Sequence, residues 1–224
     1  MNQSTNTAVR QETRAVFATN KLIRNTYILL SLTLLFSAAT AGVSMIANIP
    51  HPGILITLGG YFGLLFLVQA LRNSIWGIVS VFALTGFMGL TLGPILNLYI
   101  SHFANGTQLV MTALGGTGAI FVGLSAYALT TRKDFSFMAG FLFAGILVAF
   151  LAGIGAAIFA LPTLSLVVSA MFVLLMSGLI LYQTSAMIHG GETNYIMATV
   201  TLYISIYNLF TSLLHLLAMF SGRD

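Results

Sequence analysis

The chain has 224 residues, of which 58% are hydrophobic and only 5% charged. Eight Lys and Arg, four Asp and Glu and a mean hydropathy of +1.00 leave too few charges to solvate a soluble domain of this size, so the chain is a polytopic membrane protein. The net charge of +4 is modest and sits near the ends of apolar runs, which argues against nucleic-acid binding, and the absence of Cys excludes disulfides and thiolate metal sites.

Residues 1–25 are polar and rich in Asn, Thr and Gln, with Arg10, Arg14, Lys21 and Arg24 against one acid, Glu12. Nothing there builds a core, so a mobile N-terminal tail is expected, followed by a membrane domain over 26–221. Seven apolar runs follow, near 26–48, 53–71, 75–100, 107–130, 136–160, 163–187 and 194–219. Each is of the length, roughly 20 residues, that a helix needs to cross a bilayer. Ala39-Thr40-Ala41 mimics a signal-peptide cleavage site, but hydrophobicity continues to Ile49, so the first span reads as uncleaved. The connections are short, and Pro50, Pro52 and Pro162 fall where the chain turns. Pro94 falls inside the third span. The pairs Gly59–Gly63 and Gly89–Gly93 predict places where helices approach closely.

Alternating sides place Arg10, Arg14, Lys21, Arg24, Arg72, Arg132 and Lys133 together and only Arg223 opposite. The positive-inside rule then puts the N-terminus in the cytoplasm and the C-terminus outside.

The last run carries an ordered set of polar residues. Asn194, Thr201, Ser205, Asn208, Ser212 and His215 follow one another at steps of seven, four, three, four and three. At roughly 100° per residue they share one face of a helix. An unpaired amide or hydroxyl is costly in lipid, so this face is expected to meet protein or water inside a bundle. Two readings fit: hydrogen bonds between helices, or the lining of an ion or proton path. Hydroxyls and amides outnumber ionisable groups, since only His215 titrates near neutrality, and this favours the first.

Catalytic chemistry has little to work with. There is no HExxH, GxSxG or P-loop, and no paired intramembrane carboxylate, so no enzyme, cofactor or metal site is expected. Asp134 and Glu192 precede the fifth and seventh spans, where each suits a helix N-terminus. His51, His102 and His215 fall toward the same side without metal-ligand spacing.

From Gly77 to Ile95 the third span, GIVSVFALTGFMGLTLGPI, resembles the signature of the Bax inhibitor family of membrane proteins. LTTRKDFSFM (129–138), HGGETNYI (189–196) and TLYISIYNLF (201–210) are similar to its bacterial YccA-type branch. This resemblance implies an all-α, seven-transmembrane-helix bundle with the last helix central, in a bacterial inner membrane. It also implies a modulator and substrate of the membrane-anchored ATP-dependent protease FtsH. Other members are pH-sensitive calcium leaks gated by two aspartates, so an ion-conducting bundle is the alternative. The matching positions here hold neutral Gln183 and Ser205, which removes the carboxylates such a switch needs and leaves room for a permanent hydrogen bond between them.

The expected orientation can be tested with single cysteines at Asn105, Lys133 and Ser221, since the chain has no Cys of its own. A membrane-impermeant thiol reagent applied outside should label positions 105 and 221 and spare 133. Labelling of 133 from outside reverses the assignment.

Overall fold

A computed structural model describes residues 2–221, with side chains from Phe17 onward; Arg10, Glu12, Arg14 and Arg223 lie outside the described side chains. Seven helices run in chain order: α1 Asn2–Ile46, α2 Ile54–Leu71, α3 Trp76–His102, α4 Gly106–Thr131, α5 Ala139–Ile158, α6 Pro162–His189 and α7 Tyr195–Ser221. One 3-10 turn, Ser136–Met138, leads into α5, and the described residues contain no strand. All seven helices are long and apolar enough to cross a membrane, and in α1 the stretch of described side chains that qualifies is Phe17–Ile46.

Near the first described side chains of α1, Leu22 and Ile23 pack against the main apolar cluster, while Asn20, Lys21 and Arg24 stay on the exposed side of the same helix. Elsewhere the expected ends hold within three residues, and local chemistry explains them. Pro162 opens α6, where its missing N–H costs nothing. Gly190, at φ 81°, closes it in the left-handed conformation that glycine adopts freely.

The helices pack unequally. α1 lies along α3, α6 lies against α5 and α7, and α4 fits against both α6 and α7. α7 packs against α1, α2, α3, α4 and α6. Helices α2 and α5 are peripheral, with only 6% and 17% of their membrane windows buried. The main cluster joins Leu29 and Leu30 of α1, Val81 and Leu84 of α3, and Met176 and Ile180 of α6. From α7 it takes Leu202 and Leu209. Lipid tails are as apolar as these side chains, so close packing and hydrogen bonds, not escape from water, hold such a cluster together.

The closest approach is between α1 and α3, at one of the two predicted glycine pairs. A Cβ on Gly89 would fall onto Thr40 Oγ1 and the Ser37 carbonyl. One on Gly93 would lie 2.5 Å from Ser44 Oγ and 2.9 Å from the Ala41 carbonyl. The other pair does not behave this way. Gly59 and Gly63 have nothing within 4 Å, because they sit on an outer face of peripheral α2; it is Gly60 that faces a neighbour, the Phe87 ring.

Beside Gly93, Pro94 lies inside α3 and has no amide to offer the carbonyl of Leu90, four residues back. Ser44 of α1 supplies the missing donor, with Oγ 2.8 Å from the Leu90 carbonyl oxygen. Gly93 gives that hydroxyl the space to arrive. Ser44→Ala should therefore cost about 1–2 kcal/mol, through an unsatisfied carbonyl in lipid. In a Pro94→Ala background, where the helix regains its own N–H, the same change should cost under about 0.5 kcal/mol. Thermal unfolding of the four proteins in mild detergent gives the coupling; strictly additive losses would show that Ser44 does not serve the proline gap.

Candidate functional site

The polar residues of the last helix fall into three groups. Asn194 lies one residue ahead of α7 and caps it: its Oδ1 accepts from the amides of Ile196 (2.9 Å) and Met197 (3.2 Å). Its Nδ2 donates to the Arg72 carbonyl at 2.9 Å and to Asn73 Oδ1 at 3.0 Å, which ties the start of α7 to the α2–α3 turn. Ser205 and Asn208 form the second group and bond within their own helix. Ser205 Oγ donates to the Thr201 carbonyl at 2.8 Å, and Asn208 Nδ2 donates to the Ile204 carbonyl at 2.9 Å. At the far end, His215 Nδ1 lies 2.8 Å from Ser169 Oγ of α6. Ser205 and Ser212 are buried; Thr201, Asn208 and His215 are half-buried. Within this stripe, contacts to other parts of the chain come from the two ends, while Ser205 and Asn208 bond within their own helix.

Gln183 and Ser205 do not form the hydrogen bond that their neutral chemistry would allow. The Ser205 hydroxyl is committed to Thr201, and Gln183 Nε2 is buried without a partner, as are Thr26 Oγ1 and Ser125 Oγ. His51, His102 and His215 likewise remain apart in their bonding. His51 Nδ1 accepts from the Gly53 amide at 3.0 Å, and His102 Nδ1 lies 3.0 Å from the Leu98 carbonyl. No group of three His, Asp or Glu among the described residues is placed to hold a metal.

The strongest polar junction involves a residue that the sequence pattern hides. Tyr203, 1% exposed, donates its hydroxyl to the Thr85 carbonyl of α3 at 3.3 Å and meets Ser37 Oγ of α1 at 2.6 Å. A tyrosine counts as apolar in a periodicity reading, so only its depth reveals the role. Thr199 Oγ1 donates within its own helix, to the Tyr195 carbonyl at 2.7 Å, and lies 3.3 Å from the Thr26 carbonyl of α1. Asp134 and Glu192 bond amides just ahead of the membrane helices they precede, not amides of α5 or α7. Glu192 Oε1 accepts from the amides of Thr193 and Asn194 at 2.8 and 2.7 Å. Asp134 Oδ1 accepts from the Ser136 amide at 2.8 Å, and this bond, helped by the Ser136 hydroxyl, holds the exposed carboxyl below its ordinary pKa.

Between peripheral α2 and α5 runs a cleft of about 540 Å³, floored by α3, α6 and α7. Its walls are apolar and largely aromatic, with Phe62, Phe87, Phe143 and Phe150, and its floor presents Tyr207 and Asn208. Asn208, at mid-membrane depth, therefore meets a lateral opening rather than a partner helix. Exchange of Asn208 for Leu should cost less than about 1 kcal/mol, whereas Tyr203→Phe, which removes a buried hydroxyl with two partners, should cost about 1–3 kcal/mol. Melting in detergent orders the two variants; a larger loss at Asn208 would move the polar junction from Tyr203 to the middle of the stripe.

Comparison with known proteins agrees with this architecture. A family model described as "Inhibitor of apoptosis-promoting Bax1" matches residues 19–222. The chain is 52% identical over 210 residues, 94% of each chain, to the "Modulator of FtsH protease YccA" of Escherichia coli. It is 54% identical over 203 residues, 91% of each chain, to an uncharacterized protein of Pseudomonas aeruginosa. It is 43% identical over 207 residues, 92% of each chain, to an uncharacterized membrane protein of Vibrio cholerae. The match runs through all seven membrane helices, and the chain belongs to the Bax inhibitor family.

Proposed function

We propose that this chain is an inner-membrane protein that binds and restrains the membrane protease FtsH and is itself slowly degraded by it. The observation that carries this reading is 52% identity, along 94% of both chains, to a protein named as a modulator of that protease. The physical character of the chain supports it. An ATP-driven protease must grip a segment and pull, and residues 2–16, ahead of the first apolar run, have a polar sequence that offers no apolar anchor. Behind them stands a bundle in which α1 is locked to α3 by Ser44 and to α7 by Ser37. Engagement is easy and extraction is hard, which makes a poor substrate into a competitor. In this reading the basic end of the bundle faces the cytoplasm, where the protease acts, and the chain works by binding, without catalysis. A carboxylate-gated ion leak, the alternative, would need aspartates where this chain has Gln183 and Ser205.

Deletion of residues 2–16 should lengthen the protein's lifetime several-fold in cells that contain the protease and leave co-purification with it intact. Pulse-chase decay and pull-down from mild detergent measure the two effects separately. Unchanged turnover of the truncated form would remove the grip from this segment. Failure of both forms to co-purify with the protease would remove the restraining function.

A further inference from the structure

At the basic end of the bundle a second cleft, of about 430 Å³, opens between α1 and α4, with α6 behind it. Helices α1 and α4 do not pack against each other, although both pack on α6, so the gap between them is open along the side. Deeper in, the Tyr27 and Phe121 rings, 6.0 Å apart, close the gap, and the Tyr27 hydroxyl reaches Thr184 of α6. The cleft is lined by Thr19, Asn20 and Arg24 of α1 and by Arg132 at the end of α4, with Leu129 and Ile188 as apolar walls. Among the described residues its lining holds two guanidinium groups and no carboxylate. Arg132 also occupies a backbone position with φ 50° and ψ 27°, the left-handed conformation in which glycine or asparagine closes a helix at lower cost. An arginine there presents a charge at the cleft that glycine could not.

We propose that this cleft holds the headgroup of an anionic phospholipid, with its phosphate between Arg24 and Arg132 and the Thr19 hydroxyl and Asn20 amide as further hydrogen-bond donors. Three features of the cleft fit this chemistry. Paired guanidiniums bind phosphate oxygens in their planar, two-pronged geometry. A basic pocket between helices at the membrane surface is the setting in which lipid headgroups are recognised. The side opening and the walls of Leu129 and Ile188 suit a lipid, whose glycerol and acyl carbons continue from the phosphate into the membrane, more than a free anion. The helix ends give no help, because α4 and α6 both finish here and their C-terminal carbonyls repel an anion. Binding therefore rests on the arginines, and their loss should be felt steeply.

The test uses the full chain in mild detergent, with bound lipid counted by native mass spectrometry. Phosphatidylglycerol should bind in preference to phosphatidylcholine. Arg24→Gln and Arg132→Gln should each weaken it about five-fold, and the two together about 25-fold. Arg72→Gln, at the same end but outside the cleft, should leave binding unchanged, and Arg24→Lys should retain most of it. Millimolar inorganic phosphate should not displace the lipid. Equal binding of the two lipids, equal loss in Arg72→Gln, or displacement by phosphate each overturns the proposal; the single variants decide it should the double variant fail to fold.

Discussion

A backbone carbonyl without a donor is tolerable in water and costly in hydrocarbon, and this constraint shapes how the bundle closes. Pro94 creates such a carbonyl at Leu90 in the middle of α3. The response is a set of mutually dependent contacts: Ser44 donates across the gap, and Gly93 clears its path. Gly89, one turn away, brings Ser37 and Thr40 against the same face. Ser37 then meets Tyr203, so α7 is drawn to the same place from the other side. Three helices are joined around one missing N–H.

The polar residues of α7 divide by what they do for the bundle. Serine and asparagine in mid-helix turn back on their own carbonyls, a habit that removes their cost in lipid and leaves them few bonds to give elsewhere. Tyr203, Asn194 and His215 reach other parts of the chain. Each of these longer reaches must break before α7 can leave the bundle. Gln183 stands apart. Its buried amide nitrogen finds no partner among the described residues.

Much of this was legible in the sequence. Hydropathy alone marks the seven spans, and Pro162 and Gly190 sign the ends of α6 by their own backbone preferences. The Gly89–Gly93 spacing points correctly to a close contact, yet Gly59–Gly63 has the same spacing and touches nothing. Spacing states which residues share a face and is silent on whether a neighbour lies opposite. The same gap explains Tyr203, whose ring satisfies an apolar pattern while its hydroxyl joins three helices. The Asn208 environment depends on α2 and α5 standing apart, which no single helix encodes.

The bond from Ser44 to Leu90 also has a direction in time. A ribosome threads this chain into the bilayer from its N-terminus, so the hydroxyl is in place before the proline-broken helix arrives. The donor waits for the acceptor. Were the order of the two helices exchanged, as in a circularly permuted chain, α3 would enter the membrane with a bare carbonyl at its midpoint and no relief until the end of synthesis. Such a chain would contain every contact of the finished bundle and still be expected to stall at insertion.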